Sequence, residues 1–333
     1  MKRTLNNSGK FSLILAGILL LTTAASAQVS LREALDFDGD NKADYLLYRP
    51  SNSIWYILQS GGGYNYGNFG MNFSTRDYLT PGDYDGDNKA DLCVWRESNG
   101  VWYLYNSSNN AFYTAQFGIS GDEPVARDYD GDGKTDFAVV RRIPPTSSSL
   151  GMLVWYILRS SDGGFVAFQF GYDTDYTAPG DYDGDGKFDY AVQRPGATLT
   201  TQSTFYVYRS SDSVLQATNF SLKTDSVVPG DYDGDGKTDY AVVRDGVTSP
   251  SNSPTNIVWY VMLSGGGYKI VSFGLTGSDH TAQGDYDGDG KTDPAVWRET
   301  DKKFYILRSS DNALGVVQLG LYGDYPIAGY DTH

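Results

Sequence analysis

Apolar and polar positions recur along this chain in one fixed order, repeated six times. A dense acidic stretch such as "DYDGDGKTD" is followed by a short apolar run that ends in arginine, as in "YLLYR" to Arg49, "LCVWR" to Arg96, "FAVVR" to Arg141 and "PAVWR" to Arg298. Short apolar runs bounded by turn residues predict buried strands. An aromatic pair follows in "WYIL" from Trp55, "WYLY" from Trp102, "WYIL" from Trp155, "FYVY" from Phe205, "WYVM" from Trp259 and "FYIL" from Phe304, and predicts a second strand. Turn residues in "SGGG", "SSNN", "SSDGG", "SSDS" and "SSDN" then lead to a segment ending near Phe69-Gly70, Phe117-Gly118, Phe170-Gly171, Phe220, Phe273-Gly274 or Leu319-Gly320. That order predicts a hairpin closed by a further strand. A return segment such as "DEPVARD" or "DSVVPGD" carries the chain to the next acidic loop and predicts the first strand of the next unit.

The first aspartates of the loops are Asp36, Asp83, Asp128, Asp181, Asp231 and Asp285, at steps of 47, 45, 53, 50 and 54 residues. Periods of this size belong to solenoids and propellers. Four strands per unit without a helical period fit one propeller blade. A sandwich does not require self-similar units, and the short glycine-rich period of a parallel β-helix is missing. The expected fold is an all-β, six-bladed β-propeller of four-stranded blades, forming a single domain over residues 28–333. The segment "DYPIAGYD" at 324–331 repeats the return segment with no acidic loop after it. It predicts a strand that completes the first blade and removes an open sheet edge; the alternative is a seventh, partial blade.

Composition changes the setting of this picture. Lys2, Arg3 and Lys10 precede an apolar run from Phe11 to Leu21, followed by Ala25-Ser26-Ala27. Residues 1–27 therefore read as a secretory signal peptide, with the mature chain starting near Gln28. An uncleaved amino-terminal anchor is the alternative. No later stretch approaches the roughly 20 apolar residues needed to span a membrane. The expectation is an exported protein, secreted or held at the cell surface, and monomeric. Its net charge of −15 becomes more negative once the leader cations are removed, which disfavours nucleic acid and anionic membranes as partners. Cys93 is the only cysteine, so no intrachain disulfide can stabilise the fold. It falls where other units carry Ala138, Ala191, Ala241 and Ala295, which predicts a small buried filler.

The acidic loops carry the chemistry. Their pattern, D-x-D-G-D-[GN]-K-x-D, crowds carboxylates that repel one another unless a cation lies among them. The candidate metal residues are Asp36, Asp38, Asp40, Lys42 and Asp44 in the first loop, and Asp83, Asp85, Asp87, Lys89 and Asp91 in the second. They are Asp128, Asp130, Asp132, Lys134 and Asp136 in the third, and Asp181, Asp183, Asp185, Lys187 and Asp189 in the fourth. The fifth and sixth contribute Asp231, Asp233, Asp235, Lys237 and Asp239, then Asp285, Asp287, Asp289, Lys291 and Asp293. Carboxylates at positions 1, 3, 5 and 9 with a backbone carbonyl at 7 make the flexible all-oxygen shell that Ca²⁺ prefers, with Mg²⁺ as the alternative. About six Ca²⁺ are expected. The lysine would ligate through its carbonyl while its side chain points to solvent. Position 6 is Asn41, Asn88, Gly133, Gly186, Gly236 or Gly290, residue types that accept left-handed backbone. An EF-hand would need a glutamate at position 12, where this chain has apolar residues such as Val139 and Val192.

The "DYDGDGKTDYAVVR" strings and "FG" endings resemble the FG-GAP/VCBS repeat family, whose calcium-loaded propellers include the integrin α head and certain fungal lectins. The resemblance covers nearly the whole mature chain and implies ligands at positions 1, 3, 5 and 9 of each loop. It departs at Phe220-Ser221, where the usual glycine is replaced.

Candidates for catalysis are sparse. His280 and His333 are the only histidines, and neither a G-x-S-x-G elbow nor an H-E-x-x-H pair occurs. The arginines at 49, 96, 141, 194, 244 and 298 recur at one position and either form a ring for acidic ligands or pair with a neighbouring carboxylate. Units three, four and five insert long segments at 142–154, 195–204 and 245–258. Those loops are expected on the face away from the acidic loops, either as a binding surface or as tolerated insertions. The function expected is a binding or adhesion module for glycan or protein ligands, not an enzyme. A polysaccharide lyase or hydrolase on the same scaffold is the alternative.

Overall fold

The computed structural model describes residues 35–70, 77–246 and 255–328. The leader, His333 and most of the 245–258 insertion lie outside them. The described residues form six four-stranded antiparallel sheets, with no helix among them. Blade 2 shows the plan, running outward from Asp77–Leu79 through Leu92–Arg96 and Val101–Tyr105 to Phe112–Gln116. Blade 1 takes its inner strand from the far end of the chain. Tyr325–Pro326 pairs antiparallel with Tyr45–Arg49, setting Leu47 against Pro326 and Tyr48 against Tyr325. The expected closing strand is thus present, and the seventh partial blade is not formed: the return segment finds its partner in blade 1.

Burial follows position in the blade. The second strand is covered on both faces by neighbouring blades, so Leu46, Leu47 and Tyr48 are all buried. This is why its sequence is a continuous apolar run. The third strand alternates, with Trp55 and Ile57 buried and Tyr56 half-buried, and the outer strand is mostly exposed. A large aromatic on each third strand fills the core: Trp55, Trp102, Trp155, Phe205, Trp259 and Phe304 are fully buried. The indoles of Trp55, Trp102, Trp155 and Trp259 each donate to the carbonyl of the phenylalanine in the "FG" ending, at 2.9–3.0 Å. The glycine after it turns the chain with positive φ, 98° at Gly118. Ser221, where the repeat departs from glycine, holds the same conformation at φ 80° while its hydroxyl accepts a 2.9 Å bond from Gln193. The turn survives the substitution.

The long insertions are partly strand. Phe137–Ile143 pairs with Met152–Leu158, so the blade 3 insertion lengthens a hairpin, and in blade 4 the strand already begins at Gln202. Arg142 in this extension binds Glu123 and donates to the carbonyls of Asp173 and Asp175 in the next blade. Part of the inserted length therefore serves packing.

Candidate metal centre

Each acidic loop is wound around its first aspartate. In blade 2, Asp83 Oδ1 accepts from the backbone N–H groups of Gly86 and Asp87 at 2.6 and 3.2 Å, and Oδ2 from Asn88 at 2.8 Å. Gly86 at φ 81° and Asn88 at φ 63° supply the left-handed turns that point these donors inward. The expectation for position 6 holds. The ninth residue, Asp91, is fully buried, with Oδ2 accepting from Tyr84 N and Oδ1 from Ser107 N at 2.8 and 2.7 Å.

The hairpin turn after the third strand completes the site. Ser60, Ser107, Ser160, Ser210, Ser264 and Ser309 each donate a backbone N–H to the ninth aspartate of their blade at 2.7 Å. Their hydroxyls donate to the fifth aspartates, Asp40, Asp87, Asp132, Asp185, Asp235 and Asp289. Ser108, Ser161, Ser211 and Ser310 do the same for the third aspartate. These serines look like turn residues in the sequence. Their recurrence directly after the aromatic strand, at the same place in every unit, is the signal that they orient the carboxylates.

Oxygens of three carboxylates converge within 4.8 Å in each of these loops: Asp36, Asp38 and Asp40 in blade 1, then positions 1, 3 and 9 in Asp83/Asp85/Asp91, Asp128/Asp130/Asp136, Asp181/Asp183/Asp189 and Asp231/Asp233/Asp239. In the sixth loop Asp285, Asp289 and Asp293 keep the same backbone and serine partners. One carboxylate oxygen of Asp85, of Asp130 and of Asp183 is buried with no hydrogen-bond partner. A buried carboxylate oxygen without a donor is costly, and a cation satisfies it. These residues fit a hard, oxygen-seeking metal ion.

Burial pushes the ninth aspartates up from the ordinary carboxylate range, to about 7 for Asp44, Asp189 and Asp239 and about 6 for Asp91, Asp136 and Asp293. Backbone hydrogen bonds oppose that shift, and neighbouring loop carboxylates add to it. Asp181 rises to about 6 for the same chief reason. Positive charge is what such a cluster lacks.

One expectation about the loops needs correction. The lysine at position 7 does not extend freely to solvent but lies along the preceding loop, where a Cβ added to Gly39 or Gly86 would meet Lys89 or Lys134 Cε at 3.0 or 2.7 Å. Lys134 Nζ donates to Asp85 O at 2.9 Å. The loops are also bonded to one another. The backbone N–H of residues 90, 135, 188, 238, 292 and 43 donates to the carbonyl of Asp36, Asp83, Asp128, Asp181, Asp231 and Asp285 respectively, at 2.6–2.8 Å. The last bond joins the first loop to the sixth, so the loops form a closed ring.

At the opposite ends of the strands, Arg49, Arg96, Arg141, Arg194, Arg244 and Arg298 each grip one buried aspartate through two nitrogens: Asp324, Asp77, Asp122, Asp175, Asp225 and Asp279. Each guanidinium also stacks on a tyrosine at 3.8–4.6 Å. With the fork occupied, these arginines join inner to third strand and are not a ring for acidic ligands. Cys93 is buried as expected, its thiol pushed up to about 12 by burial. His280 is exposed beside Trp297 and Tyr325.

No curated protein matches the chain. Among solved structures, AofleA from Arthrobotrys oligospora is similar at 10% identity and a TM-score of 0.50, covering 89% of this chain and 90% of AofleA. A triple arginine-to-alanine variant of AofleA gives 12% identity and a TM-score of 0.51, with 82% and 81% covered. At such identities the likeness concerns the fold. Residues 36–94 and 83–139 match the family described as FG-GAP-like repeat, and the acidic loops of these units recur through blade 6, with the "FG" ending kept in blades 3 and 5. Over residues 36–139 the propeller is thus similar to FG-GAP-like repeats.

Proposed function

We propose that this is an exported, calcium-stabilised propeller that acts as a binding or adhesion module for a glycan or protein ligand at the cell surface or beyond it. Ca²⁺ is favoured over Mg²⁺ because the loops offer many protein oxygens on flexible backbone, whereas Mg²⁺ retains its waters. The binding role rests on one observation. The outer strands expose large aromatic side chains, with Tyr66 at 67%, Phe112 at 56%, Phe165 at 62% and Tyr268 at 68%. Exposed aromatics held on a rigid sheet give contact area with little loss of conformational freedom, and such patches mark interaction surfaces. The metal loops and the arginine ring serve the scaffold, which leaves these rims for recognition.

A glycan array combined with a turnover assay on acidic polysaccharides tests this reading. Binding without bond cleavage is the expected result. Release of unsaturated or reducing ends would instead make the protein a lyase or hydrolase.

A further inference from the structure

We infer that the seam between blades 1 and 2 is a binding site for one ring of a neutral saccharide, a proposal that rests on the binding-module reading above. At four other seams, the aromatic at loop position 2 stacks on an aromatic that opens the next blade's second strand. These pairs are Tyr84 with Phe137, Tyr129 with Tyr190, Tyr182 with Tyr240 and Tyr286 with Tyr45, at 4.9–5.9 Å between ring centres. Between blades 1 and 2 the corresponding residues are Phe37 and Leu92, so the stack is lost. The outer strand is reduced there too, and Leu92 packs against it, its Cδ1 3.0 Å from where a Cβ on Gly67 would stand. Gly67 stands opposite Trp55, where other blades place Ala115, Phe168, Thr218, Val271 or Val317. In blade 3, Phe168 fills that space against Tyr190 and Tyr208 at 4.7 and 4.9 Å.

Omitting these side chains leaves a cleft of about 470 Å³ at one seam, within the roughly 300–1,000 Å³ of small-molecule sites. Its walls carry Tyr66 and Tyr105 together with Asn65, Asn68 and Asn106. Asn106 is 7% exposed, and its carboxamide oxygen has no hydrogen-bond partner. Blades 3, 4 and 6 place Arg159, Arg209 and Arg308 at this position, each paired with an aspartate of its own turn. Asn106 has replaced a self-satisfied ion pair with an amide that faces the cleft.

This lining selects a chemistry. Primary amides both donate and accept, as sugar hydroxyls do, and tyrosine faces accept the apolar face of a pyranose ring. No carboxylate lines the cleft, which disfavours a cationic side chain as occupant, and the one cation, Lys89, lies with its stem along Gly39.

The test is titration of the parent, Leu92→Tyr, Asn106→Ala and Tyr66→Ala proteins with the tightest-binding member of an array of neutral oligosaccharides. Melting temperature and metal content are measured alongside, and Leu314→Ala, an exposed residue on the outer strand of blade 6, serves as the control. Leu92→Tyr restores the residue type used elsewhere, and Tyr66→Ala alters an exposed side chain, so at least one variant tests the cleft in a folded protein. We expect each seam variant to lose tenfold or more in affinity with melting and metal content unchanged, and Leu314→Ala to bind as the parent does. If the parent binds a neutral oligosaccharide and the folded seam variants bind it equally well, the seam is not the site, though the protein remains a binding module. A parent that binds only charged glycans or only protein also overturns the proposal and leaves the broader reading standing. A parent that binds neither glycan nor protein overturns both.

Discussion

Stripping metal from this protein at neutral pH should unfold it in a single cooperative step at a much lower temperature than in millimolar Ca²⁺. Ligand that binds only the native state contributes about 2.7 kcal/mol for each site held at a hundred times its Kd, and the ring of backbone bonds from Ala90→Asp36 round to Ala43→Asp285 links the loops. An emptied loop therefore weakens its neighbours. The pH dependence has a definite sign. In the metal-free protein the ninth aspartates titrate near 6 to 7 when folded, against about 4 when unfolded. Between those values the folded chain binds more protons than the unfolded one, so metal-free stability falls as pH rises through that window. Metal binding requires the same groups deprotonated, so the Ca²⁺-dependent gain in melting temperature should grow over the same range. Equal melting temperatures with and without chelator at pH 7.5 would refute the metal role.

Deleting the chain from Tyr322 onward should cost far more than the loss of an exposed tail. It removes the inner strand of blade 1 and opens the ring. It also takes away Ile327, 2% exposed, and Asp324, whose side chain is fully buried against Arg49. Removing one partner of a buried pair costs about 3–5 kcal/mol, and losing a buried isoleucine a further 2–5 kcal/mol or so. At about 2–4 °C per kcal/mol for a chain of this order, a fall of roughly 10–40 °C is expected, with self-association through the exposed edge of Tyr45–Arg49. Unchanged melting together with a single monomeric species in ultracentrifugation would show that closure does not depend on this segment.

The blade plan was readable because each of its parts leaves a local mark. Two-sided burial makes "YLLYR" uniformly apolar, one-sided burial makes "IWYIL" alternate, and the closing strand repeats a return segment without its loop. What escaped sequence reading lies between blades. Lys134 faces Gly86, and Thr135 bonds Asp83, across about one full repeat of chain, so no neighbouring residue announces where the lysine goes. The serines after the aromatic strand were visible but read as turn formers, since their carboxylate partners lie 16 to 31 residues upstream. Arg142 was one residue of a polar insertion until the fold placed it beside Asp173 and Asp175 of the next blade. Leu92 and Gly67 differ visibly from their counterparts. That they open one cleft follows only once Phe37 and the outer strand of blade 1 face blade 2.

The most direct test of the central claim is the metal content of the purified chain after dialysis against trace Ca²⁺, measured by elemental analysis for the parent and for Asp233→Asn/Asp235→Asn. The expected result is about six Ca²⁺ per parent chain, one for each acidic loop. The double variant should hold about one fewer at saturation, with weakened uptake at the loops bonded to it through Asp181 and Thr292. A parent that retains no Ca²⁺, or a double variant with the parent's full content and affinity, would contradict the assignment of these loops as the metal centres that hold the propeller together.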